Sequence, residues 1–189
     1  MIEEIDTATY YTATKKYFLN FPPLEADIDV DVVVIGGGFS GVNTALELAE
    51  NGITDIALLE ARHLGFGGTG RNGGQIMAGI GHDIEAIRKD VGDAGLQTIF
   101  ELSDQGAKII QERIKKYDID ADFRHGYAYM AFNSRQTETL KKWEKEFKSV
   151  DTENEIYFVS GSEVKSVIGS DAYQSGLVRI GAGQVHSLN

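Results

Sequence analysis

The chain has 189 residues, of which 42% are hydrophobic and 25% charged, the balance of a globular protein with room for a sizeable core. Eighteen basic residues against 29 acidic ones give a formal charge of −11; such a surface repels phosphate backbones and anionic membranes, which argues against general nucleic-acid binding. No cysteine is present, so disulfides, thiolate metal sites and Cys nucleophiles are excluded.

Residues 1–28 read as an arm. Its start, MIEEIDTATYYTATKKYFLN, lacks the basic segment and apolar stretch of a secretory signal. Tyr10, Tyr11, Tyr17, Phe18 and Phe21 alternate with polar residues before Pro22-Pro23, which suggests an arm that packs onto something. Asp31 to Ile35 is β-branched and uninterrupted, the pattern of a buried strand in a parallel sheet. Val42, Ala45, Leu46 and Ala49 then fall at helical spacing, and Asn51-Gly52 supplies a stop. Ile56 to Leu59 is a second strand, ending at Glu60, and a glycine-rich loop runs from Gly65 to Gly81.

Helical patterning resumes as a short helix from Asp83 to about Lys89. A longer one runs from about Ala94 to Tyr117, with Ile99, Leu102, Gly106, Ile109, Ile110 and Ile114 near one face. Residues 122–132 are aromatic-rich and strand-like. Thr137 to Val150 is an amphipathic helix with the stripe Leu140, Trp143 and Phe147. Ile156 to Val159 is a strand, Ser160 with Glu163 makes a capping-box start for a short helix, and Leu177 to Ile180 is a last strand. No apolar run approaches the ~20 residues of a membrane helix, and a soluble, cytoplasmic protein is the expectation.

The chemistry concentrates in the glycines. Gly36-Gly37-Gly38-Phe39-Ser40-Gly41 satisfies G-x-G-x-x-G, follows a strand and opens a helix, within a strand–helix–strand unit of about 30 residues. In such a unit Gly36 permits the sharp turn, Gly38 lets the backbone approach a pyrophosphate, and Gly41 lets helix pack on strand. The helix N-terminus offers N–H groups and partial positive charge to that anion. Glu60 stands about 20 residues further on, where a carboxylate accepts the ribose hydroxyls and repels a 2′-phosphate. NADP is therefore disfavoured, while NAD and FAD share this unit. The loop GFGGTGRNGGQ, Gly65 to Gln75, separates them: its glycines let the backbone run close to an extended FAD, unless it is only a mobile surface loop.

The aromatic arm before Pro-Pro, the glycine fingerprint, the acidic strand end and the GFGGTGRNGGQ loop occur in an order that resembles FAD-dependent amine and amino-acid oxidases of the D-amino-acid oxidase superfamily. The gamma-glutamylputrescine oxidase branch is the nearest in pattern. The terminal GAGQVHSLN is similar to that branch too, with Ser187 where proline is usual. The resemblance implies an α/β fold: a Rossmann-like FAD-binding βαβ unit over 29–81, then helical segments and part of an α+β substrate domain over 82–189. It implies removal of a hydride equivalent from the carbon beside an amine, hydrolysis of the imine, and transfer of electrons to oxygen to give peroxide. Small-molecule amines or amino acids are the implied partners.

By motif position, Gly36, Gly38, Phe39, Ser40 and Gly41 are expected to face the pyrophosphate of a non-covalent FAD. Glu60 would hold the ribose, with Ala61 and Arg62 beside the adenine. Gly68, Thr69, Gly70, Arg71, Asn72, Gly73, Gly74 and Gln75 would pass the pyrophosphate, ribityl chain and ring. Arg71 is either a phosphate partner or a solvated loop arginine. Such oxidases are roughly twice as long, so an N-terminal fragment without activity of its own is expected. A non-catalytic dinucleotide-binding fragment is the alternative, and an NAD-dependent dehydrogenase a weaker one.

His63, His82, His125 and His186 lack ligand spacing, so no metal is expected, and His63 precedes the glycines, which disfavours a flavin linked through it. His82 either lines a flavin-side cavity or caps the loop. Arg124, His125, Tyr127 and Tyr129 alternate on one strand, where they serve strand packing or meet a substrate. Trp143 belongs to a core stripe, and no Ser–His–Asp set is identifiable.

Overall fold

The structure, a computed structural model, describes residues 8–77, 84–151 and 155–189. They form two compact units: one holds the described residues up to Gly74 together with His186–Asn189, the other those from Gln75 to Val185. His82 and Asp83 lie outside the described residues.

In the first unit a short helix, α1 (Tyr10–Thr14), begins at a capping box in which Thr9 and Thr12 each satisfy the other's backbone N–H. Strand β1 (Val32–Ile35) pairs in parallel with β2 (Ile56–Leu59), Val32 opposite Ile56 and Ile35 opposite Leu59. Helix α2 (Phe39–Glu50) is the crossover between them, and Gly52, at φ +87°, follows its Asn51 cap. The expectation of a buried β1 fails in part. Only Val34 is buried, at 7% exposure, whereas Val33 is exposed and Ile35 stands 86% exposed. The run is apolar enough for burial on both sides, but β1 has one strand partner among the described residues and no cover over Ile35.

The second unit is built on four strands: β3 (Gln75–Ile76), β4 (Arg124–Ala131), β5 (Ile156–Ser160) and β6 (Ser175–Gln184). Each of the first three pairs antiparallel with β6, β4 along one edge and β5 then β3 along the other. A bulge between His125 and Tyr127 in β4 uses Gly126 at φ +77°. Alternation along β6 sorts its side chains. Leu177 joins Ala131, Ile156 and residues of two helices, α3 (Ile84–Lys116) and α4 (Ser134–Val150), in the main core. Val178 faces the other way, with Val159 and with Val164 of α5 (Ser162–Ile168).

Helix α3 breaks at Gly92, φ +70° and ψ 178°, between the two segments the sequence predicts. Its buried stripe is Leu96, Phe100, Asp104 and Ala107, however, while Leu102, Ile109 and Ile110 are exposed. Apolar residues occur around most of this helix, so periodicity does not select a face. Packing does: Phe100 meets Phe147 of α4 at 6.4 Å between ring centroids. Helix α4 starts earlier than expected because Asn133 accepts from the Gln136 N–H and Gln136 accepts from the Phe132 N–H. The predicted capping box at Ser160 is half realised. Gly161 is the cap residue, with no side chain to offer, and Glu163 reaches back to the Ser160 N–H at 3.4 Å.

Candidate dinucleotide site

The turn after β1 is stitched by backbone and side chain alike. Gly36, at φ +102°, donates its N–H to the Leu59 carbonyl at 2.8 Å and so extends the ladder by one residue. The Gly37 N–H donates to Glu60 Oε2 at 2.7 Å, and its carbonyl accepts from the Gly65 N–H at 2.8 Å. At Gly41 any Cβ would drive into the Gly36 carbonyl, so this position closes helix on turn as the fingerprint predicts. By contrast, nothing lies within 4 Å of where a Cβ would stand on Gly36, Gly67 or Gly68. There the backbone is open to a ligand.

Glu60, at the end of β2, spans the turn with both oxygens. Oε2 takes the Gly37 N–H and Oε1 takes the Arg62 N–H at 2.9 Å. These two bonds, Gly37's first, hold its carboxyl below the usual carboxylate range. The Ala61 N–H adds to the lowering, so of the carboxylate's roughly four lone-pair sites at least one stays for a further donor. A ribose hydroxyl is such a donor.

The glycine loop docks on the helix end. Its 3₁₀ turn, Gly68–Gly70, brings the Thr69 hydroxyl to accept from the Phe39 N–H at 3.0 Å, which supplies the cap that Gly38 lacks. Asn72 holds the loop from within: Nδ2 donates to the Gly68 and Thr69 carbonyls at 3.2 and 2.6 Å, and Oδ1 accepts from the Gly74 N–H at 2.6 Å. Arg71 donates through Nε to the Phe66 carbonyl at 3.1 Å, and its guanidinium lies 5.0 Å from the Phe66 ring centre. Arg62 lies 4.7 Å from the same ring. Both arginines remain exposed beside the turn, as do Ala61, Ser40 and Gly73. Gln75 is the first residue of β3 in the other unit.

The chain thus gathers Gly36–Gly41, Glu60 and Thr69 through direct hydrogen bonds, and carries Gly68–Gly74 on the loop they anchor. Sequence reading missed the Thr69 cap on Phe39, because a hydroxyl in a loop carries no mark of the helix it reaches. Among the described residues no group of three or more His, Asp or Glu is arranged to hold a metal ion. No described helix is long and apolar enough to cross a membrane. In the second unit Tyr127 and Tyr129 turn into the core, where burial raises the Tyr127 phenol above its ordinary value.

The family model described as FAD dependent oxidoreductase matches residues 31–189. The chain belongs to that family. It is 35% identical over 183 residues to gamma-glutamylputrescine oxidoreductase of Escherichia coli, which covers 97% of this chain and 42% of that protein. Two solved structures share the fold. L-amino acid deaminase from Proteus myxofaciens superposes with TM-score 0.69 at 20% identity, over 93% of this chain and 37% of that one. Glycine oxidase from Bacillus cereus gives 0.58 at 21% identity, over 85% and 41%. The chain therefore spans well under half the length of the relatives it matches. The family match and the two superpositions agree on an α/β fold.

Proposed function

We propose that the protein to which these residues belong oxidises the C–N bond of a small amine or amino acid with a non-covalently held FAD. The supporting observation is the open, stitched turn at Gly36–Gly41 with Glu60 and the Gly68–Gly74 loop around it. The residues fit the group. Glu60 keeps acceptor capacity for a ribose hydroxyl, and the turn and the N-terminus of α2 provide the positive end for a pyrophosphate. Open backbone at Gly36, Gly67 and Gly68 admits the ligand. Ala61 and Arg62 flank the adenine end, and Arg71, held beside Phe66, is placed to add positive charge near the phosphates.

FAD, when bound, supplies the acceptor for the hydride equivalent leaving the carbon that bears nitrogen, and passes the electrons to oxygen with formation of hydrogen peroxide. What this chain contributes is binding and orientation. Its glycines allow close approach, Glu60 fixes the ribose and selects against a 2′-phosphate, and Asn72 stiffens the loop. The amine class rests on the 35% identity to gamma-glutamylputrescine oxidoreductase. Since 42% of that relative is covered, turnover is assigned to the whole protein, and the 189 residues alone are expected to bind without turning over.

The test has two parts. Titrating the 189-residue chain with FAD and ADP should give saturable binding of both, tighter for FAD; no binding of either overturns the reading. A full-length protein should carry an absorbance band near ~450 nm and release peroxide with an amine or amino acid. A full-length protein that takes up no FAD overturns it as well.

A further inference from the structure

The segment His186–Asn189 lies with α1 and the glycine loop in the first unit. His186 is 6% exposed, with its ring edge-on to Tyr11 at 4.9 Å and tilted against Tyr10 at 6.1 Å. Its Nε2 stands 2.9 Å from Thr14 Oγ1. The Thr14 hydroxyl proton is committed to the Tyr10 carbonyl at 2.7 Å, so the hydroxyl oxygen accepts and Nε2 carries the hydrogen. The other nitrogen, Nδ1, accepts from the Leu188 N–H at 3.4 Å. Both ring nitrogens are therefore used, and the neutral Nε2–H tautomer is the one that satisfies them.

Beyond His186 the chain turns back on itself. The Asn189 N–H donates to the His186 carbonyl at 3.1 Å, and Asn189 Oδ1 accepts from the Lys16 N–H at 2.8 Å. The turn presses Leu188 onto the loop. Its two methyls lie 3.2 Å from where a Cβ on Gly70 would stand, and one lies closer still to that of Gly65, which sits at φ +73°. From the other side the Thr9 hydroxyl donates to the Gly70 carbonyl at 3.2 Å. Residues before the first strand and after the last strand thus grip one loop at Gly65 and Gly70. That loop hands Thr69 to the end of α2.

We propose that α1 and His186–Asn189 form a clamp that sets the shape of the 65–74 loop, with His186 as the positioning residue that locks α1 to the Leu188 turn. The clamp itself does not depend on the FAD reading; its effect on cofactor affinity does. Hydrogen–deuterium exchange of the ligand-free 189-residue chain, read over peptides spanning 65–74, tests it. His186→Phe keeps an aromatic edge against Tyr11 but loses both hydrogen bonds, and should speed exchange in the loop tenfold or more, with β4–β6 peptides unchanged. His186→Gln restores a donor towards Thr14 and should return the loop to within threefold of the original. Thr14→Val, at an exposed position, should speed the loop at least threefold and serves where His186→Phe does not fold.

FAD affinity, measured by equilibrium dialysis, should fall with loop protection and recover in His186→Gln. Unchanged loop exchange in either His186→Phe or Thr14→Val overturns the clamp, and so does a His186→Gln chain as fast as His186→Phe. A chain that binds no FAD overturns the proposed function, while the exchange data still decide the clamp.

Discussion

The two units solve the problem of holding strands together in different ways. In the first, β1 and β2 bury a single side chain fully, Val34, and α2 buries none, so order comes from hydrogen bonds through Gly36, Gly37, Glu60 and Thr69. In the second, α3 and α4 close over one sheet face and α5 over the other, with Leu96, Ala131 and Leu177 sealed from solvent. Apolar burial stabilises in proportion to area, whereas a hydrogen bond exchanged with water contributes about 1 kcal/mol. The first unit is accordingly held by polar stitching, and the second by a packed core. Substitutions should separate the two sharply.

The largest effect is expected at a buried ion pair. Arg179, 1% exposed on β6, pairs with Asp151, and its guanidinium lies 4.5 Å from the Phe147 ring centre. Its Nε and Nη1 have no partner among the described residues. Asp151→Ala leaves that charge uncompensated and should cost about 3–5 kcal/mol in denaturant unfolding. Replacing both partners by apolar residues, Asp151→Leu with Arg179→Met, should recover most of the loss. The next effect is the direct comparison: Leu177→Ala should cost about 2–5 kcal/mol, while Ile35→Ala on the open strand should stay within about 0.5 kcal/mol. Equal costs would break the contrast between the units.

Smaller effects probe the stitching. Gly41→Ala sets a methyl against the Gly36 carbonyl and should weaken FAD or ADP binding at least tenfold by titration. Glu60→Gln removes a carboxylate that serves two N–H donors, at a cost on the order of 1 kcal/mol at neutral pH after solvent screening. Because the folded state lowers this pKa, the stabilisation is complete above the unfolded value near ~4.3. It fades as pH falls through the lower folded value. Thermal midpoints of the original and Glu60→Gln chains should therefore converge on acidification below about pH 4.

What was legible follows from range. The fingerprint, the helices of the second unit and the strands at 122–132 and 156–159 are short-range patterns, and the structure places an element at each. The buried stripe of α3 was not legible, since its apolar residues surround the helix and only contact with α4 chooses among them. Arg179 reads as a surface residue by type. Its place two residues from Leu177 on an alternating strand was the one hint of burial. The turn's glycines could be read, but Thr69 on Phe39 and Leu188 on Gly65 could not, because each joins distant stretches without a motif of its own. Gly65 and Gly70 also show that a glycine in such a loop can be required by packing within the protein, against Leu188 at Gly65 and against the Gly65 carbonyl at Gly70.

The pairing pattern of the second sheet bears on how the chain folds. Strands β3, β4 and β5 each pair with β6, which comes after all three in sequence, and Gln75 must wait for Gln184. On a ribosome those three strands emerge with open edges and no sheet to join until β6 follows. Helix contacts between α3 and α4 can form in the meantime, but strand closure is a late, long-range event of the kind that slows folding. The stretch around Ser175–Gln184 is then the strand on which the whole sheet closes. A change that disturbs it should lower the yield of soluble chain more than its cost to the finished fold.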